Sequence, residues 1–71
     1  MDRFRIFPRP GNTGWTLASD ALAFPLWYRE VEHAVSYARW YSRVNGAVVE
    51  LCDNAGAVTT VEFRSTADNP F

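Results

Sequence analysis

The sequence predicts an α+β domain of two layers, β-β-α-β-β, in which a four-stranded, mostly antiparallel sheet carries one helix on one face. Three observations predict it. Short stretches on either side of residue 10 alternate apolar and polar side chains, a long central stretch repeats at helical spacing, and two β-branched stretches flank a turn near the end.

Arg3-Phe4-Arg5-Ile6-Phe7 places Phe4 and Ile6 on one face of a strand and Arg3, Arg5 and Phe7 on the other. Two prolines and two glycines within residues 8–14 end that strand in a loop. Trp15-Thr16-Leu17-Ala18-Ser19 resumes the alternation, with Trp15 and Leu17 on one face, so the first two strands read as a hairpin. Residues 20–28 admit two readings. Phe24-Pro25-Leu26-Trp27 suits an edge strand, where a proline is tolerated, whereas Pro25 also suits the first position of a helix. The preferred reading is a short irregular connection with the helix beginning near Arg29.

The helix is expected over residues 29–45. Val31, Ala34, Val35, Ala38 and Tyr41 recur at helical intervals, Glu30 and Glu32 lie at the start, and Arg39 and Arg43 lie toward the end, each sign suiting the macrodipole. Asn45-Gly46 stops it, since glycine tolerates the left-handed conformation that closes a helix. Ala47-Val48-Val49-Glu50-Leu51-Cys52 and Ala57-Val58-Thr59-Thr60-Val61-Glu62-Phe63-Arg64 then pair across the turn Asp53-Asn54-Ala55-Gly56. Val49 and Leu51 share a face with Val61 and Phe63, and the other face carries Val48, Glu50 and Cys52 opposite Thr60, Glu62 and Arg64. Residues 65–71 are expected to form a loose tail.

Seventy-one residues make a single domain, 1–71, and one this short is close to the limit of what its own core can hold together. A lone cysteine and a lone histidine exclude a disulfide scaffold or a structural metal site, so packing or self-association must supply the stability. No cofactor is expected. No run of apolar residues is long enough to span a membrane, and no apolar signal core follows the N-terminus. With a free thiol, these features favour a bacterial-type cytoplasm or another reducing compartment, and the cytoplasm is the expected location.

The helix carries more apolar girth than one sheet needs. With Val31 at zero and about 100° per residue, the stripe of Val35, Ala38, Ala34 and Tyr41 lies at roughly 40°, 340°, 300° and 280° and can face the sheet. Tyr37, Val44, His33 and Trp40 follow at roughly 240°, 220°, 200° and 180°, so the whole arc spans roughly 220°, whereas a helix on a sheet needs little more than ~100°. The surplus is a ridge of His33, Tyr37, Trp40 and Val44, with Tyr41 beside it. Three coverings are open: the tail or the 20–28 segment, with Trp27 and Leu26 as candidates; a second copy, ridge against ridge; or a different partner, such as another protein, or a ligand. Self-association is preferred, with His33, Tyr37, Trp40, Tyr41, Val44 and Trp27 as interface candidates.

Catalysis has little to stand on. Cys52 is expected on a strand and His33 on the helix flank away from the sheet, which does not make a thiol–imidazole pair, although Glu30 or Glu32 could orient the histidine. Gly11-Asn12-Thr13-Gly14 leads into a strand and lacks the lysine and helix start of a phosphate cradle. The protein is therefore expected not to be an enzyme.

Every basic residue is arginine, seven in all, and net charge is -1. Arg3, Arg5 and Arg9, with Phe7 and Trp15, and Arg29, Arg39 and Arg43 on the helix could together offer charge and stacking to a nucleic acid. Interspersed carboxylates weigh against it, so weak nucleic-acid binding is the alternative reading. Across the sheet's outer face, Arg3 and Arg5 are expected to meet Glu50 and Glu62.

Trp15 in the second strand, the spacing Glu30-x-x-x-Ala34-x-x-x-Ala38-Arg39 in the helix and Gly56 in the last turn resemble the small bacterial domains of unknown function grouped as DUF2188, over roughly residues 5–64. The resemblance implies a compact sheet-and-helix domain and no known activity. The sequence departs from that pattern in having no lysine and in its Tyr37/Trp40/Tyr41 cluster.

Overall fold

A computed structural model describes residues 2–65. It contains β1 (Asp2–Pro8), β2 (Trp15–Ser19), β3 (Leu26–Tyr28), α1 (Val31–Asn45), β4 (Ala47–Cys52) and β5 (Val58–Phe63), with a short 3-10 turn at Pro10–Asn12. The strands form one five-stranded sheet in the order β3-β2-β1-β4-β5. All neighbours are antiparallel except β1 and β4, which are parallel.

The α+β class with one helix on one face is as expected, but the four-stranded, mostly antiparallel sheet is corrected to a five-stranded mixed one. The cause is β3. Leu26 and Tyr28 pair with Leu17 and Trp15 as an edge strand directly after Pro25, so the segment expected to be irregular takes its edge-strand alternative. That third strand reverses the chain once more before the helix. The helix then carries the chain back over the sheet as a parallel crossover, and β4 lies beside β1 running the same way. With only two strands before it, the same helix would have made β4 antiparallel to β1.

The core lies between helix and sheet. Phe4, Ile6, Leu17, Ala47 and Val49 from three strands meet Ala34 and Ala38 from α1, all essentially out of solvent. Each large side chain among these contributes about 1.5–3 kcal/mol on full burial. Ala34, Ala38 and Ser42 recur every fourth residue, and their small size lets the helix lie close to the strands. Ser42 is a polar member of this stripe that periodicity placed nowhere. Its hydroxyl donates to the Arg39 carbonyl at 2.7 Å, so burying it leaves no group unsatisfied.

The helix begins two residues later than expected and stops where expected. Gly46 has a φ of +74° and its N–H donates to the Ser42 carbonyl, which closes the last turn. In the β4–β5 turn, the Asp53 carboxylate accepts from the Ala55 and Ala57 N–H groups, both at 2.9 Å. Ser65 donates to the Arg43 and Val44 carbonyls at the helix end, so the segment's first residue is tied down. The remainder of the expected loose tail, 66–71, lies outside the described residues.

Candidate functional site

Residues 31–45 place different chemistry on the two flanks of α1. The flank toward β1 and β3 is aromatic. Tyr41 meets the buried Phe4 edge-on, with ring centroids 5.4 Å apart and planes at 72°. Tyr37 lies 6.2 Å from Tyr28 of β3 and 6.1 Å from both Trp40 and Tyr41. Trp40 lies edge-on to Tyr41 at 6.5 Å. The array thus runs from a fully buried ring, through half-buried tyrosines, to Trp40, which is 57% exposed. Val44, one turn on, is 56% exposed. Burial raises the Tyr28 phenol above its ordinary pKa, and the nearby Tyr37 phenol adds to the rise.

The expected ridge is therefore only partly uncovered. Tyr28 of the 20–28 segment shelters Tyr37, while His33, Trp40 and Val44 face solvent. Trp27, expected among the interface candidates, does not join them. It pairs with Thr16 on the outer face of the sheet, opposite the helix, and its Nε1 donates to the Thr13 carbonyl at 2.8 Å. Strand alternation is the reason: Leu26 and Tyr28 turn toward the helix, so Trp27 between them turns away.

The flank toward β5 is cationic. The Arg39 guanidinium sits 5.2 Å from the centre of the Phe63 ring. Arg43 lies 4.2 Å above Trp40 and donates to its carbonyl at 3.1 Å. Together with Glu62 and Arg64 they border a cleft of about 440 Å³ between the end of the helix and β5.

The arginines proposed for nucleic acid do not share a surface. Arg3 and Arg5 project from the outer sheet face, 3.9 and 3.4 Å from the Glu50 carboxylate. Glu62, expected to join them, instead lies 3.8 Å from Arg64. Arg9 is in the β1–β2 connection and Arg29 in the link between β3 and α1. Phe7 lies on the outer face and Trp15 on the helix face, so they form no common stacking platform. Cys52 alternates with Leu51 and faces away from the helix, so the sheet separates it from His33. Among the described residues, no group of three His, Cys, Asp or Glu side chains converges as a metal site, and no helix is long and apolar enough to cross a membrane.

Sequence reasoning missed the exposed edge of β5. Val61 is 38% exposed because β5 ends the sheet and α1 stacks on its Phe63 end, and Val58 is 56% exposed on the face away from the helix, beside Cys52. Alternation puts Val61 on one face with Val49, Leu51 and Phe63, which is correct for direction and silent about coverage. The signal that would have found this is the strand order, which depends on recognising β3. No family model matches the chain, and no curated protein or solved structure matches it.

Proposed function

We propose that the chain is a small non-enzymatic interaction module that works as a homodimer, paired through the helix ridge of Trp40, Val44 and Tyr37. The observation that carries this reading is the exposure of Trp40 and Val44, more than half of each, one turn apart on a well-packed helix. Trp40 is backed by the half-buried Tyr37 and Tyr41, so its ring is held in place before any partner arrives. Full burial of such a side chain is worth about 1.5–3 kcal/mol, and a two-fold contact counts each one twice. Association would also add to the stability of a domain with a small core. The same proposal includes a cytoplasmic location, in keeping with the free thiol of Cys52, and membership of the domain family that the sequence resembles.

Sedimentation equilibrium tests the pairing. The expected result is a dimer that dissociates on dilution and that Trp40→Ala abolishes, with the isolated subunit's stability changed by less than about 1 kcal/mol. Tyr37→Ala should weaken both association and the subunit, since Tyr37 also packs on Tyr28. A wild-type monomer at high micromolar concentration would end the proposal.

One observation favours nucleic-acid binding as a second reading: Arg39 and Arg43 lie beside the rings of Phe63 and Trp40, which joins cations to stacking surfaces. Anisotropy titrations with short single- and double-stranded DNA decide it. Binding that fades steeply with salt supports it, and no binding at low salt removes it.

A further inference from the structure

β5 is an open sheet edge. It is the last strand in the order, six residues long, and contains neither proline nor lysine to blunt it. The Asp53 N–H donates to the Ala57 carbonyl, so that pair is hydrogen-bonded. Antiparallel alternation then directs the backbone groups of Thr59, Val61 and Phe63 toward β4 and those of Val58, Thr60 and Glu62 outward. Among the described residues, no strand pairs with that outward row.

The helix-side surface beside this edge changes character along its length. At the Phe63 end stands Arg39, stacked on the ring, and no carboxylate of the described residues forms an ion pair with it. Two residues back, Val61 offers a partly exposed apolar side chain on the same face.

We infer that β5 receives an extended segment of a partner protein as a sixth strand, with an acidic side chain opposite Phe63 reaching Arg39 and an apolar side chain two positions away covering Val61. Backbone hydrogen bonds to the outward row provide the attachment, and the alternate side chains provide the selectivity. A second copy fits this position less well. Its own β5 carries Thr59, Val61 and Phe63 on the helix-side face and keeps Glu62 on the other, so it brings no carboxylate to Arg39. The site lies on the β5 side of α1, away from Tyr37 and Tyr41, and it borders the proposed dimer contact at Trp40, which lines the same cleft as Arg39 and Phe63.

The test uses a fluorescein-labelled hexapeptide of alternating threonine and valine with one glutamate on the valine-bearing face, and the same peptide with glutamine instead. At low salt the wild type should bind the glutamate peptide about tenfold more tightly, the equivalent of one charge-assisted hydrogen bond. Arg39→Gln should erase the difference between the peptides. Thr60→Pro should abolish binding of both, since its N–H points outward and the β4–β5 ladder does not use it. Amide chemical-shift mapping on the wild type, which needs no variant to fold, should move Val58, Thr60 and Glu62 on titration. Absence of binding, equal binding of the two peptides, or shifts confined to other residues overturns the inference. Concentration-dependent shifts of the same amides without peptide overturn it in favour of a second copy.

Discussion

The two edges of the sheet solve the same problem in opposite ways. β3 is three residues long, follows a proline, and is held by side chains: Trp27 reaches back to the Thr13 carbonyl, and Tyr28 packs against Tyr37 of the helix. β5 is twice as long and is held mainly by its ladder to β4 and by the Asp53 turn, with Arg39 the one helix side chain stacked on it. A three-residue edge directly after a proline has little outward backbone to offer. A long edge with a bare outer half has more, and in this molecule it is the edge beside the arginines. Recognition capacity here follows from the length of each edge strand and from how far side chains of the helix and loops reach over it.

The comparison breaks most readily at Gly14. Its φ is +116°, and a Cβ there would run into Trp27 Nε1 and lie 2.8 Å from the Tyr28 carbonyl. Gly14→Ala should therefore push β3 away from β2, at a cost of about 2 kcal/mol or more from strain and displaced contacts together. Urea unfolding should show the loss, and amide exchange should show it concentrated in residues 26–28. A variant as stable as the wild type would mean that the Trp27 contact does not hold this edge.

The opposite edge is weakest at its turn. Asp53→Ala removes the acceptor for two backbone N–H groups in an exposed turn, so the expected cost is about 1 kcal/mol. Exchange should quicken at Thr59 and Val61, whose N–H groups face β4, with residues 26–28 unchanged. Equal quickening at both edges would show that the sheet opens as one unit.

Most of this arrangement was legible before the fold was known, and what was not has one origin. Period-two alternation in 3–7 and 15–19, helical spacing through Tyr41, and the Asn45-Gly46 stop each report local geometry, and the strands and helix stand where those patterns put them. β3 is too short to show a period of its own, and Pro25 was compatible with either element. One undecided tripeptide therefore carried the strand count, the direction of β4 and the identity of the edges. The site divides along the same line. Helical spacing located Trp40 and Val44, because direction around one helix depends on that helix alone, but it left Tyr37 on the bare ridge although Tyr28 of β3 shelters it. It could not turn Trp27 to the outer face or leave Val61 uncovered, since both depend on which strands neighbour each other.

The sheltered edge also makes a small prediction about pH. Burial makes ionisation of Tyr28 harder in the folded chain, and the Tyr37 phenol adds to this, so its folded pKa lies above the ordinary 10.0. Between those two values the unfolded chain has released a proton that the native chain retains. Linkage then requires stability to be fully present below pH 10.0 and to decline as pH rises from there through the folded value. Tyr28→Phe removes the ionisable group but keeps the ring against Tyr37, so the variant should lose less stability between neutral and strongly alkaline pH than the wild type. Tyr37→Phe should reduce the decline by a smaller amount, because it removes only the second cause. Parallel curves for wild type and Tyr28→Phe would show that Tyr28 is as well solvated at its edge as in the unfolded chain, and the contrast with the open β5 edge would then rest on Trp27 alone.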